Sequence, residues 1–333
     1  MGAALCDIVS FDWDGRDMKI ESVTEMDRTD ERLKAASREW WSQHSQDYLD
    51  GQGTPHLGVP RQFTDDGMFR RYLDDNDRNF RRQAFYAQRS DTLLFSELMP
   101  ADFFRGKRVL EVGCGLGAHA ESLVRLGGDV TCVDLSPTSV EVTRKRLVLR
   151  GLSADVRLAD AERLPFSDHS FDYVWSWGVI HHSPDTRQCA REIVRVLKPG
   201  GRIGIMLYNR HSFYNWVNVV LRYGIMQGKL LRMSMQELHN RYTDGKEIGG
   251  CPLAKYYTPR QIREVLFPNF TMLRQVAFEP KSSVSFMIPR RWRAQFEDRL
   301  PNAWINWAFR RYGFLLLTEA IKPLTLGGSD AQG

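Results

Sequence analysis

Val109-Leu110-Glu111-Val112-Gly113-Cys114-Gly115-Leu116-Gly117 places three glycines at the end of an apolar strand, directly before residues 117–126, which carry helix spacing. A loop of this kind lets a ligand press against bare backbone and the N-terminus of the following helix, where a Cβ would hold it off. The pattern alone does not say which ligand. Gly113, Gly115 and Ala118 also satisfy the G-x-G-x-x-A of a dinucleotide loop.

Outward from the loop, short apolar strands alternate with amphipathic helices. Strands are expected at 108–112, 129–133, 155–159, 171–176 and 202–207, with helices at 117–126, 137–150 and 186–197. The Pro199-Gly200-Gly201 turn introduces the fifth strand. A helix at 259–266, a strand at 270–278 and a final strand at 313–321 continue the series. This alternation predicts an α/β fold with a doubly wound, Rossmann-like sheet covered on both faces. The expected core domain spans 101–323, with helical insertions at 210–257 and 282–312. Residues 1–100 read as a helical N-terminal extension, with helices at 37–48 and 79–98 and a Gly/Pro loop at 51–60. The tail 324–333 has nothing to bury and is expected to be disordered.

Acids follow the strands at informative places. Asp134 ends the second strand, where a carboxylate can accept hydrogen bonds from a ribose diol. Asp160 ends the third, followed by Ala161-Glu162-Arg163-Leu164-Pro165-Phe166, and could take the exocyclic amine of an adenine. The fourth strand runs into Ser176-Trp177-Gly178-Val179-Ile180-His181-His182, and Leu197-Lys198-Pro199-Gly200-Gly201 precedes the fifth. In this order the elements resemble the class I S-adenosylmethionine-dependent methyltransferases, in particular their small-molecule branch. The resemblance is dense over 108–208 and looser over 258–321.

That resemblance implies a seven-stranded sheet with an antiparallel last strand, and S-adenosylmethionine as cofactor. Glu111 and the loop Gly113, Cys114, Gly115 and Gly117 would hold its methionine end. Asp134 would bind the ribose and Leu135 would pack on adenine. Asp160, Ala161 and Glu162 would meet the adenine, and Ser176 and Trp177 would lie near the sulfonium. The bland alternative for Asp134 and Asp160 is strand-end capping or a salt bridge.

Methyl transfer needs aligned reactants, a dry site and sometimes removal of a proton. His181 and His182, at the carboxyl edge of the fourth strand, are candidate general bases; shaping the loop or capping the helix near Pro184 is the alternative. Tyr208, Arg210 and His211 follow the fifth strand and could orient a substrate, while Asn209 or Ser212 could instead start a helix. Trp40 and Trp41, with Tyr48, could form a lid or pack on the sheet. The insertions carry Phe213, Tyr214, Trp216, Tyr223, Tyr256, Tyr257, Trp292, Trp304 and Trp307, which would suit a flat acceptor, an oligomer contact or a membrane-surface patch.

Composition narrows the class. The chain is 42% hydrophobic and 26% charged, as a globular protein is, and no apolar run approaches a membrane span. No signal peptide is read, and Met1-Gly2 lacks the Ser or Thr of a myristoylation start because Cys6 stands there, so a cytoplasmic protein is expected. The five cysteines, at 6, 114, 132, 189 and 251, are odd in number and without C-x-x-C, and suggest neither a disulfide framework nor a metal site. The net charge of +5 demands no acidic partner, and the arginine clusters read as solvated helix faces. The expected partner is a small-molecule methyl acceptor. A nucleic-acid methyltransferase is disfavoured, since Ser176-Trp177-Gly178-Val179 stands where base-amine enzymes carry a polar-Pro-Pro-aromatic motif. An NAD(P) oxidoreductase is disfavoured because Tyr242-Thr243-Asp244-Gly245-Lys246 matches Y-x-x-x-K only in a turn. A non-catalytic subunit, or an enzyme using the same cofactor for another transfer, stays open. The N-terminal extension is a lid, the arm of a homodimer or a partner-binding surface.

Overall fold

The computed structural model describes residues 23–44, 65–82, 93–285 and 288–324. Cys6, Tyr48, the expected loop at 51–60, part of the expected 79–98 helix and nearly all of the tail lie outside them. Strands β1 (Arg108–Val112), β2 (Asp129–Asp134), β3 (Asp155–Leu158), β4 (Phe171–Trp177), β5 (Leu197–Asn209), β6 (Tyr256–Tyr257), β7 (Thr271–Phe278) and β8 (Leu315–Ile321) form an eight-stranded sheet. Its order is β3-β2-β1-β4-β5-β8-β7, with β6 added in parallel beside the end of β5. β1 to β5 are mutually parallel, and β8 runs antiparallel between β5 and β7. The order reverses between β1 and β4, and in open α/β sheets the crevice at the carboxyl ends of such a pair is where ligands bind.

The central strands are apolar on both faces. Val109, Leu110 and Val112 of β1 and Phe171, Tyr173, Val174 and Trp175 of β4 are all buried, as a sheet covered on both sides requires. The helices start where their caps dictate. Ser136 accepts from the Ser139 amide at 3.2 Å with Pro137 at the first position of α4 (Pro137–Leu149), which follows α3 (Ala118–Arg125). Asp185, rather than either histidine, caps α5 (Thr186–Val196) through the Gln188 amide at 2.8 Å. In the first insertion, Ser212 accepts from the Asn215 amide at 3.1 Å ahead of the π-helix Tyr214–Met226, and a capping box of Ser234 and Glu237 starts α6 (Met235–Tyr242). The second insertion carries α7 (Arg290–Arg299) and α8 (Asn302–Phe309).

The N-terminal segment differs from expectation. α1 spans Val23–His44, beginning well before residue 37, and α2 spans Asp66–Arg82. Of the expected 79–98 helix, the described residues show the end of α2 and a single 3-10 turn, Ser96–Leu98. α2 is thick with Arg and Asp, which hid its apolar stripe of Phe69, Tyr72, Leu73 and Phe80, all buried. Arg146 of α4 pins it in place: its guanidinium is 2% exposed and donates to Glu121 of α3 at 2.9 Å and to both oxygens of Asp77 of α2 at 2.8 and 2.9 Å. Removing one member of such a set strands the other charges. Arg146→Met should cost roughly 3–5 kcal/mol in urea unfolding, and a cost below 1 kcal/mol would show that α2 is held by its apolar stripe alone.

Candidate active site

The crevice at the β1/β4 switch gathers most of the residues expected from sequence. Gly113 has φ 83°, and a Cβ there would sit 2.1 Å from Val179 Cγ2. The loop after β1 therefore lies against the segment leaving β4, which no side chain at 113 would permit. Gly117, also left-handed at φ 76°, is the N-cap of α3. Cys114 is buried. Asp134 accepts from the Gly115 amide at 3.0 Å through one oxygen and from the Ser136 amide at 2.8 Å through the other. It thus does the strand-end work named as the alternative, and each oxygen keeps a second lone pair for a ligand. Leu135 beside it is half-buried. Ser176 is buried with its hydroxyl unpartnered among the described residues, and Trp177 stacks on Trp175 at 5.6 Å. His119, which sequence analysis passed over, lies 5.5 Å from Trp177 and accepts from the Trp175 indole at 3.2 Å.

Glu111, on β1 just before the loop, is fully buried. It is 1% exposed, 3.5 Å from the Cys132 thiol, and burial together with nearby Asp134 pushes its carboxyl up to about 8.

α1 lies over the carboxyl ends of β2 and β3. Lys34 reaches Asp160 at 3.0 Å and Glu162 at 2.7 Å. Burial would lower its pKa, but the two carboxylates outweigh it and hold the ammonium well above its usual range. The other Asp160 oxygen takes the Glu162 amide at 2.9 Å, and Glu162 also accepts from the Ser183 hydroxyl and the Asp185 amide. Ala161 is half-buried between the two acids. Further along α1, Ser42 donates to Ser136 at 3.1 Å, Trp40 packs into the core, and the Trp41 ring lies 4.8 Å from that of His182.

Beneath Trp41 lies a buried aromatic and polar cluster. His181 sits 4.0 Å from the Tyr208 ring, which stacks on Phe314 at 4.3 Å. The Tyr208 hydroxyl donates to both oxygens of Asp244, at 2.9 and 3.0 Å, and Asp244 lies 3.8 Å from His182 Nε2. Burial pushes Asp244 up to about 7 against its bonds from Tyr208 and Cys251, and lowers His182 to about 4 and His181 further. Sequence analysis read Asp244 as an ordinary turn residue. It also saw no metal spacing, yet His182, Asp244 and Cys251 present ligand-type atoms within 4.8 Å of one another.

The remaining expectations separate. Arg210 is half-buried, while His211 is exposed on the turn after β5 and is not brought to the cluster. Of the insertion aromatics, Tyr214 and Tyr256 lie against Phe314, at 4.6 and 6.0 Å. Trp216, Trp292, Trp304 and Trp307 are more than half exposed.

Comparison with known proteins now bears on this geometry. Residues 110–205 match a family model described as a methyltransferase domain. The matched span runs from β1 into β5 and contains both walls of the crevice. Over these residues the chain is similar to a methyltransferase domain.

Methyltransferase GfsG of Streptomyces halstedii is 44% identical over 107 residues, 31% of this chain and 38% of that protein. A ubiquinone biosynthesis O-methyltransferase of Xanthomonas euvesicatoria pv. vesicatoria is 40% identical over 106 residues, 32% of this chain and 44% of that one. The match to these curated relatives spans less than half their length. Among solved structures, the cyclase SpnF is similar at TM-score 0.44 and 22% identity, covering 67% of this chain and 77% of that one. A methyltransferase from Thermotoga maritima is similar at TM-score 0.45 and 18% identity, covering 76% and 98%.

The methyltransferase domain should report the burial of Glu111 in its pH response. A carboxyl raised to about 8 in the folded protein keeps its proton where the unfolded chain, near 4.5, has lost it. The folded state then binds more protons, so stability falls as pH rises between these values. Glu111→Gln should flatten the fall in melting temperature between pH 5 and 8. An unchanged slope would mean that Glu111 is ionised in the folded protein.

Proposed function

We propose that the chain is an S-adenosylmethionine-dependent methyltransferase that acts in the cytoplasm on a small molecule with an oxygen, nitrogen or carbon nucleophile. The observation that carries this is the joint placement of the Gly113–Gly117 loop, Asp134 and Asp160 along one crevice at the β1/β4 switch, closed by α1. The residues present fit an adenosyl cofactor. The glycine loop is a cradle that a Cβ would fill, and at the end of neighbouring β4 the Ser176 hydroxyl is buried without a partner among the described residues. In this reading Gly113, Cys114, Gly115 and Gly117 hold the methionine end, and Glu111 supports the loop from below. Asp134 binds the ribose hydroxyls, with Leu135 on adenine. Asp160, Ala161 and Glu162 hold the adenine edge, which requires Lys34 to share or yield Asp160. Ser176 and Trp177 border the sulfonium.

When bound, S-adenosylmethionine supplies a methyl group already activated on sulfur. The protein's part is then alignment and exclusion of water. In this reading α1 excludes water through Trp41, and His181 or His182 would take a proton from the acceptor. The relatives' names, an O-methyltransferase of ubiquinone biosynthesis among them, favour a small-molecule acceptor over nucleic acid. No described helix is long and apolar enough to cross a membrane.

Calorimetry tests the cofactor. S-adenosylhomocysteine should bind and NADH and NADPH should not. Asp134→Ala should weaken binding by about 1.5–3 kcal/mol, the range for hydrogen bonds to a charged group. Binding of a nicotinamide nucleotide in place of S-adenosylhomocysteine would overturn the assignment.

A further inference from the structure

The helix of the first insertion is turned inside out. A helix on a protein in water buries its apolar stripe and shows its polar face. The π-helix Tyr214–Met226 instead buries Asn215 and Asn218 and exposes Trp216, Leu221, Ile225 and Met226. Hydrogen bonds hold the asparagines inside. Asn215 donates to the Arg210 carbonyl at 2.8 Å and meets His239 Nε2 at 2.9 Å, and Asn218 donates to the Ser283 carbonyl at 3.2 Å. The apolar residues are thereby fixed outward, and Leu231, just beyond the helix, is 89% exposed. In the second insertion, α8 buries Ile305 and the side-chain oxygen of Asn306 and leaves Trp304 and Trp307 outside. The two insertions adjoin, for the Phe213 ring meets that of Phe309 at 5.5 Å and the Phe213 amide donates to the Tyr312 carbonyl at 2.7 Å. Scattered exposed apolar residues are ordinary, but large ones gathered on adjoining helices mark an interaction surface.

Charge is concentrated on the same stretches. Residues 213–233 hold three Lys or Arg and no acid, and residues 289–312 hold six against two. That excess is larger than the +5 of the whole chain, so the remainder is net negative. Arg232, Arg291, Arg299, Arg310 and Arg311 are exposed. An occupant of this surface must therefore bring both an apolar layer and negative charge. A second copy of the same surface would bring the same sign and be repelled. A nucleic acid would take the arginines and leave Ile225, Met226 and Leu231 in water. An anionic bilayer offers acyl chains to the aliphatic and indole side chains and headgroups to the arginines. We propose that the two insertions seat the protein on an anionic lipid surface, lying in the headgroup boundary rather than spanning the bilayer. The first insertion leaves β5 at its carboxyl end and the second enters β8 beside it, where Tyr208 pairs with Leu315. Both thus join the sheet at the edge on which the crevice opens.

Flotation of the full-length protein with lipid vesicles tests this. The protein should float with vesicles of phosphatidylglycerol and phosphatidylcholine mixed equally and stay behind with phosphatidylcholine alone, and added salt should weaken the binding. Lipid brominated along its acyl chains should quench the tryptophan emission, because the indoles sit at the acyl boundary. Trp304→Ser with Trp307→Ser should reduce that quenching. Arg310→Gln with Arg311→Gln should weaken binding to the mixed vesicles on the order of tenfold, with the melting temperature unchanged. No flotation, equal flotation with both lipids, or flotation without quenching would each overturn the proposal, and these wild-type results decide it even if a variant fails to fold. So would a dimer in sedimentation velocity that Trp304→Ser with Trp307→Ser dissolves, or binding of duplex DNA in place of vesicles.

Discussion

Everything at the site depends on how closely the backbone leaving β1 approaches the segment leaving β4. Gly113 makes that approach possible: any side chain there would occupy the space of Val179. With the two exits in contact, the loop amides and the His181–His182 turn face one crevice. The parallel register of β1 with β4 and β2 then sets Asp134 beside the loop, where it holds the Gly115 amide.

The N-terminal helices complete what the sheet leaves open. α2 is anchored behind the sheet by Arg146, while α1 crosses the carboxyl edge from Asp160 to His182. The contacts of α1 are of two kinds. Trp40 is core packing, whereas Lys34 pairs with Asp160 and Glu162 and Trp41 lies against His182. A ligand entering here must compete with α1, and once bound it would be shut from water by the same helix.

The local part of this design was legible in the sequence. The glycine loop, the acids after β2 and β3 and the strand–helix alternation are short-range patterns, and β1 to β4 appear within a residue or two of their expected places, whereas β5 starts at Leu197, five residues before its expected start. What escaped were contacts between distant segments. Asp244 bonds Tyr208 across 36 residues, and in the sequence it sits in an Asp-Gly turn like any other. Lys34 meets Asp160 from a helix in which nothing marks it out. For the aromatics of the insertions, helical spacing says which residues share a face, not whether that face turns inward; Trp304 and Trp307 turn out, whereas Tyr214 and Tyr256 lie against Phe314. His211 shows the same limit, since the Asn209 side chain holds its amide at 3.0 Å in a turn that leaves the residue exposed.

The measurement that reaches the centre of this account is amide hydrogen exchange with and without S-adenosylhomocysteine. Protection is predicted at the Gly113–Gly117 loop, around Asp134 and Asp160, and along α1 from Lys34 to Trp41, as the ligand settles into the crevice and the helix closes on it. Protection elsewhere, or an α1 indifferent to the ligand, would contradict it.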